Sequence, residues 1–289
     1  MDIADFDQLP SRRVAVDGGE MFSIDAGGGP AVVLVHGSPV FSLEFRATIS
    51  RLLPNFRVLA PDLLSFGQSW GPPQGADFTQ QAHALRSFLD AIELDRFHLV
   101  GHDWGGAIGL AAAARRPAQV DRLVLLNTSV RVDFRPPLYW RPLTAPGLGE
   151  AALVGANLFS HGLPLFLRAA RGDRVLRTRY QRPLEELATR RTILKLERLE
   201  GYVAECQLIQ RALPEIVGPK LIIWGTPEPY FRREGPRLRA LLPTAHFSSL
   251  PGAGHFAAED APDRVAEEIR AFLTRPDHDD PYADRGVDR

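Results

Sequence analysis

The chain has 289 residues, a single cysteine and a formal net charge of −1. That length buries a full core, arranged as one large domain with an insertion or as two domains. A charge so near zero gives no electrostatic case for nucleic acid or an anionic membrane as a partner, and the lone Cys206 excludes an intramolecular disulfide and suits a reducing cytoplasm, the expected location.

In chain order, Met1-Asp2-Ile3-Ala4-Asp5 is acidic with no apolar run behind it, so no signal peptide is expected. No later stretch approaches the ~20 apolar residues that span a bilayer. Val14–Val16 and Met21–Ile24, separated by Asp17-Gly18-Gly19, read as a hairpin. Ala31–Val35 is a continuous apolar β-rich run, the pattern of a strand buried on both faces. Helical periodicity over 44–53 is followed by a strand at Phe56–Ala60, and a helix over Asp77–Ile92 opens on Asp77 as N-cap. Then come a strand at 97–102, a helix over Ala107–Arg115 and a strand over Arg122–Leu126. Strands alternating with helices predict an α/β fold with a mostly parallel twisted sheet flanked by helices.

Between about Val130 and Pro214 the alternation stops. The stretch is dense in Arg, Leu and Pro, and shows helical periodicity around 151–170 and 185–213. We read 130–213 as a helical lid inserted into a core formed by 1–129 and 214–275. The core pattern resumes with strands at Lys220–Trp224 and Ala245–Leu250 and helices at Arg232–Leu242 and Glu259–Leu273. The charged tail, 276–289, is expected to be disordered.

The strand at 97–102 runs into Gly101-His102-Asp103-Trp104-Gly105 and then an Ala-rich helix. This is the frame of the nucleophile elbow, G-x-S-x-G, with Asp103 in place of the serine. In an open parallel sheet, sites form beyond the carboxyl ends of the strands. Four polar segments stand at such ends: His36–Pro39, His102–Trp104, Thr226–Glu228 and Gly254–His255. Their order supplies a nucleophile (Asp103), an acid (Glu228) and a base (His255). A carboxylate is ionised at neutral pH and is competent for in-line displacement at a saturated carbon, which leaves an alkyl ester on the protein. No Cys/His/carboxylate cluster has metal spacing, and no cofactor is expected. His83, His98, His102, His161 and His246 lack a partner pattern and read as structural or surface residues; Asp62 reads as loop-shaping.

Residues 31–129 and 214–275 resemble the α/β-hydrolase fold, and in particular its aspartate-nucleophile branch. His36-Gly37-Ser38-Pro39 with Phe45-Arg46, together with Gly101–Gly106, is similar to the motifs of haloalkane dehalogenases and epoxide hydrolases. Asn127-Thr128 and, loosely, Arg190–Gly201 look more like the dehalogenases. The resemblance implies oxyanion donors at the backbone N–H groups of Trp104 and Ser38. It also implies a halide held by the Trp104 indole, with Ser38 where dehalogenases usually carry Asn, and with Trp140 as a further donor. The expected partners are a small apolar substrate and water, and the expected reaction is hydrolytic dehalogenation.

The alternative is an epoxide hydrolase, which needs an acid for the ring oxygen. Among Tyr139, Tyr180 and Tyr202, the lid tyrosines, Tyr180 is the candidate. Arg174, Arg177, Arg179, Arg182, Arg190 and Arg191 read as solvated helix faces, with an anionic haloacid substrate as the sharper alternative. A non-catalytic ligand-binding protein is a further reading, motivated by Ser38 and by Glu228 where most relatives have Asp.

Overall fold

The computed structural model describes residues 1–275; the tail expected to be disordered lies outside the described residues. Eight strands form one sheet in the order β1-β2-β4-β3-β5-β6-β7-β8. These are β1 (Ser11–Val16), β2 (Gly19–Gly27), β3 (Ala31–Val35), β4 (Arg57–Pro61), β5 (Phe97–His102), β6 (Val120–Leu126), β7 (Lys220–Thr226) and β8 (His246–Pro251). The β1–β2 hairpin is antiparallel and β2 joins β4 antiparallel, whereas β4, β3 and β5 through β8 run parallel.

The apolar runs in the central strands follow from burial on both sides. Val33, Val35, Leu99, Leu123, Leu125 and Ile222 enter one core. Their immediate neighbours Val32, Leu34, Val100, Val124, Leu126 and Ile223 enter the other. Successive side chains of a strand point to opposite faces, so each residue of such a run has a core to fill. The first core lies under α3 (Phe78–Ala91), whose Asp77 cap and Gln80 close a reciprocal capping box, and under α4 (Trp104–Ala113). The second lies under α2 (Arg46–Leu52) and α13 (Pro262–Thr274); α1 (Ile3–Asp7) precedes β1 and α11 (Glu234–Leu241) lies between β7 and β8.

Between β6 and β7 every regular element is helical. The α-helices are α5 (Arg141–Thr144), α6 (Leu158–Phe166), α7 (Ala169–Gly172), α8 (Arg174–Gln181), α9 (Leu187–Glu197) and α10 (Tyr202–Ala212). A π-helical turn occupies Glu150–Gly155.

Two departures from the expectation fall near the site. The helix expected at Ala107 begins at Trp104, immediately after the elbow residue. The helix expected over Glu259–Leu273 is two, α12 (Ala257–Asp260) and α13. The break falls where Pro262 pushes Ala261 out of helical geometry, to φ −140° and ψ 58°.

Candidate active site

Asp103 sits between β5 and α4 at φ 52° and ψ −131°, a left-sided conformation costly for a residue with a side chain, about 1–3 kcal/mol. The surroundings hold it there. Its backbone N–H donates to Leu126 O at 3.1 Å, and its carbonyl accepts from Gly106 N–H at 3.0 Å and from the Thr128 hydroxyl at 2.6 Å. The turn also needs bare backbone. A Cβ on Gly105 would lie 2.1 Å from His36 O, and one on Gly101 would lie 2.6 Å from Gly106 Cα.

The strain presents the Asp103 carboxylate at the carboxyl ends of β3, β5, β7 and β8. Its Oδ2 accepts the Ser38 backbone N–H at 2.7 Å, and the Trp104 backbone N–H also bonds the carboxylate. Its Oδ1 lies 3.7 Å from His255 Nε2. On the far side of the imidazole, Nδ1 bonds Glu228 Oε2 at 2.7 Å. The longer glutamate therefore reaches the histidine.

Glu228 is fixed in turn. Its Oε1 accepts from the N–H groups of Tyr230 (2.8 Å) and Phe231 (3.0 Å), and its Oε2 accepts from Asn127 Nδ2 at 2.7 Å. Asn127 also bridges to Gly225, donating to its carbonyl at 3.0 Å and accepting its N–H at 2.8 Å. The Asn127 amide thus locks the ends of β6 and β7 together while holding the acid.

The electrostatics follow from burial and pairing. Burial pulls the His255 imidazole down, but Glu228, by charge and hydrogen bond, and Asp103 more than offset this, leaving it at about 9. Burial pushes the Asp103 carboxyl above the usual range, against the pull of His255, His102 and the two backbone donors. Glu228 lies below its ordinary value: burial opposes ionisation, and the His255 charge with the hydrogen bonds overcomes it.

Behind this row stands a pair that the sequence pattern did not reveal. His102, expected to lack a partner, is fully buried with Nδ1 2.8 Å from Glu44 Oε2. Its Nε2 is 3.0 Å from the His255 carbonyl, and Glu44 Oε1 accepts the Gly37 N–H at 2.9 Å. The pair ties the loop after β3 to the loop that carries His255. Asp62 shapes its loop as expected, accepting from the N–H groups of Ser42 (2.9 Å) and Gln68 (2.8 Å).

A cavity of about 430 Å³ opens in front of Asp103, lined by Ser38, His255, Trp140, Glu197 and Tyr230 and otherwise mostly by apolar side chains such as Phe159 and Phe166. Ser38 and Trp140 share this lining with Asp103. The indole N–H groups are arranged differently from the halide-site expectation. Trp104 Nε1 donates to Glu197 Oε1 at 3.2 Å, and Trp140 Nε1 donates to Glu197 Oε2 at 2.7 Å. Tyr230 OH donates to that same Oε2 at 2.7 Å.

Glu197 was missed in the sequence. Its only signal is position, one turn beyond Ile193 and Leu194 on the buried face of α9. Tyr180, the expected acid, stands away from the cavity lining, fully buried with its hydroxyl on Glu259. The tyrosine at the cavity that meets Glu197 is Tyr230, from the core loop after β7.

The arginines at the cavity are other than the six read as solvated helix faces. Those lining the cavity are Arg168, paired with Asp260 at 2.9 Å, and Arg171, bonded to the carbonyls of Pro164 and Leu165 at 2.7 Å each. None of the six expected arginines lines it. Among the described residues no group of His, Cys, Asp and Glu could hold a metal ion, and no helix is long and apolar enough to cross a membrane.

A strained carboxylate between strand and helix, with a histidine and an acid following on later strands of a mostly parallel sheet, defines a hydrolase of the α/β class. The chain belongs to the alpha/beta hydrolase family, whose profile it matches over residues 32–268. It is 33% identical over 260 residues to haloalkane dehalogenase 2 of Mycobacterium tuberculosis, covering 87% of this chain and 90% of that one. It is 31% identical over 285 residues to a cis-3-alkyl-4-alkyloxetan-2-one decarboxylase of Shewanella oneidensis, covering 92% and 89%. The crystal structure of the haloalkane dehalogenase DatA from Agrobacterium tumefaciens superposes with a TM-score of 0.81 at 28% identity, over 92% of this chain and 96% of that one.

Proposed function

We propose that the protein hydrolyses small apolar haloalkanes through a covalent ester on Asp103, with segment 130–213 as the lid over the cavity. The observation that carries this reading is the division of labour between the two Asp103 oxygens. Oδ2 is held by the Ser38 N–H at 2.7 Å, while Oδ1 is left facing His255 at 3.7 Å. The relatives named as dehalogenases support the substrate class.

Oδ1 attacks the halogen-bearing carbon; the C–O bond forms as the carbon–halogen bond breaks, and the halide leaves with the bonding pair. The ester carbonyl is then Oδ2, already on the Ser38 backbone donor, with the Trp104 N–H also bonded to the same carboxyl group. Esterification also removes the Asp103 charge, one of the supports that hold the His255 proton. The imidazolium releases that proton more readily and the neutral ring becomes a base for water, oriented by Glu228. Water adds to the ester carbonyl carbon, the oxyanion forms on Oδ2 against the same two N–H groups, and collapse frees the alcohol and restores the carboxylate.

Incubation with a series of 1-bromoalkanes should release bromide and alcohol in equal amounts. A single turnover in oxygen-18 water should put label into the Asp103 carboxylate. Bromide release without label would reject the ester, and label acquired from another electrophile with no bromide release would reject the haloalkane.

Glu197 favours a second reading. Its carboxyl takes the indole donors that would otherwise meet a halide, and a carboxyl can give a proton to a leaving oxygen. Substrates of that kind are small strained rings with a C–O bond, such as epoxides. The Shewanella relative is named for a ring of this kind, an oxetan-2-one.

A further inference from the structure

We propose that Glu197 is the acid that protonates a leaving oxygen, so that this site opens small apolar epoxides as well as displacing halide. The inference rests on Asp103 as the nucleophile and adds a residue and a substrate class to it. Glu197 shares the cavity lining with Asp103 and is only 5% exposed.

Its hydrogen bonds place the proton. Oε2 accepts two short bonds, from Trp140 and Tyr230, which occupy both of its lone pairs. Oε1 accepts only the longer one from Trp104, at 3.2 Å, and keeps a lone pair for hydrogen. Neither indole can take a proton from the carboxyl, being donor-only, and the Tyr230 phenol is too weak a base to do so. They therefore leave the acid intact and stabilise the carboxylate once the proton has gone.

The groups facing Glu197 are Tyr230 from the β7 loop, Trp104 and Asp103 from the elbow, and Trp140 ahead of α5. Among the described residues no basic side chain is bonded to it. Burial and the Asp103 charge raise its carboxyl against the pull of the three donors, leaving it at about 7. An acid poised there is protonated in a useful fraction of molecules near neutrality.

Asp103 Oδ1 bonds to a ring carbon and the ring C–O bond breaks. The electron pair moves to the oxygen, which takes the Glu197 proton. Water then cleaves the ester with His255 as base; the proton the imidazolium released on esterification restores Glu197, and the one taken from water restores the imidazolium. The sum is epoxide plus water giving diol, with no other reactant.

The test uses the His255→Phe protein, in which each molecule stops at the ester, and follows alkylation of Asp103 by intact mass with 1,2-epoxybutane and 1-bromobutane between pH 6 and 8.5. The epoxide rate should fall as pH rises through about 7. Adding Glu197→Gln should abolish that fall and lower the ratio of epoxide to bromide rates by roughly 100-fold or more, the scale of a lost general acid. Glu197→Asp should recover part of the ratio. A ratio unchanged by Glu197→Gln overturns the proposal, because a merely structural role slows both substrates together. So does alkylation by the bromide alone. Alkylation by neither substrate overturns the nucleophile itself, a different failure. Should the variants fold poorly, an epoxide rate flat from pH 6 to 8.5 in the Glu197-bearing protein overturns the acid assignment.

Discussion

The cavity has two walls of different origin. Ser38, Asp103 and His255 stand on loops that leave the ends of β3, β5 and β8, with Glu228 behind His255 on the loop after β7, whereas Trp140, Phe159, Phe166 and Glu197 come from the helical segment between β6 and β7. On the strand-end wall, backbone groups do much of the holding: N–H groups of Ser38, Tyr230 and Phe231 bond the carboxylates of Asp103 and Glu228. Sheet register sets the position of such groups, so a short motif suffices to encode them. Around Glu197 on the helical wall, side chains meet side chains across long stretches of chain, one of them Trp104 from beside the elbow. Trp104 and Glu197 are 93 residues apart, and Trp140 and Glu197 are 57 apart. In the mechanism we propose, the first wall supplies covalent chemistry and the second determines what can leave.

Substitutions that separate the walls test this division. The largest effect is expected at Asp103. Asp103→Ala should remove the alkyl adduct and lower turnover by about 10⁴-fold or more, on the scale of a lost triad nucleophile. Retained bromide release in that variant would move the chemistry away from the strand-end wall. Glu228→Gln should come next, lowering ester hydrolysis by roughly 10²- to 10⁴-fold, because an amide facing Nδ1 permits the wrong tautomer and no longer supports the imidazolium. Alkylation should survive it, so rapid mixing should show a burst of one bromide per protein followed by slow turnover. Absence of the burst would mean that Glu228 also governs the attack.

The pH dependence of ester hydrolysis offers a subtler measure. His255 stands at about 9 while Asp103 is charged, and the ester has lost that charge. A group raised by an anion falls when the anion is neutralised. Pre-formed alkyl-enzyme should therefore hydrolyse faster as pH rises and level off well below pH 9, read by the loss of adduct mass after pH jumps. A plateau reached only above pH 9 would show that Glu228 alone sustains the imidazolium.

Legibility in the sequence followed the same divide. The sheet, the elbow and the order Asp103, Glu228, His255 could be read because each depends on contiguous residues and on strand periodicity. Spacing could not say that Glu228, with its extra methylene, reaches His255 at 2.7 Å; that depends on the turn through Pro227 and Pro229. Glu44 was invisible beside a helix-like pattern, since nothing local announces a carboxylate aimed at His102. Tyr180 and Tyr230 exchanged places for a similar reason. A tyrosine in the helical segment and one in a core loop carry no local mark of which faces the cavity. Glu197 was the costliest omission, a single charge among the charges of an ordinary helix, made unusual only by what three distant elements bring to it.

Trp140→Phe is the mildest of these substitutions and the sharpest on the helical wall. It keeps an aromatic ring beside Phe159 and Tyr230 and deletes the indole N–H that Glu197 Oε2 accepts at 2.7 Å. A hydrogen bond to a charged group contributes about 1.5 kcal/mol or more, which corresponds to about one pH unit. The lost donor stabilised the carboxylate form, so its removal raises Glu197 from about 7 toward the next unit. Glu197 then keeps its proton to higher pH, and the high-pH fall in epoxide alkylation should move up by about one unit. The oxygen-18 label in Asp103 should be unchanged, because the backbone donors of Ser38 and Trp104 belong to the other wall. A profile that stays in place would show that Tyr230 and Trp104 alone set the state of Glu197, and a loss of label would show that the two walls are coupled.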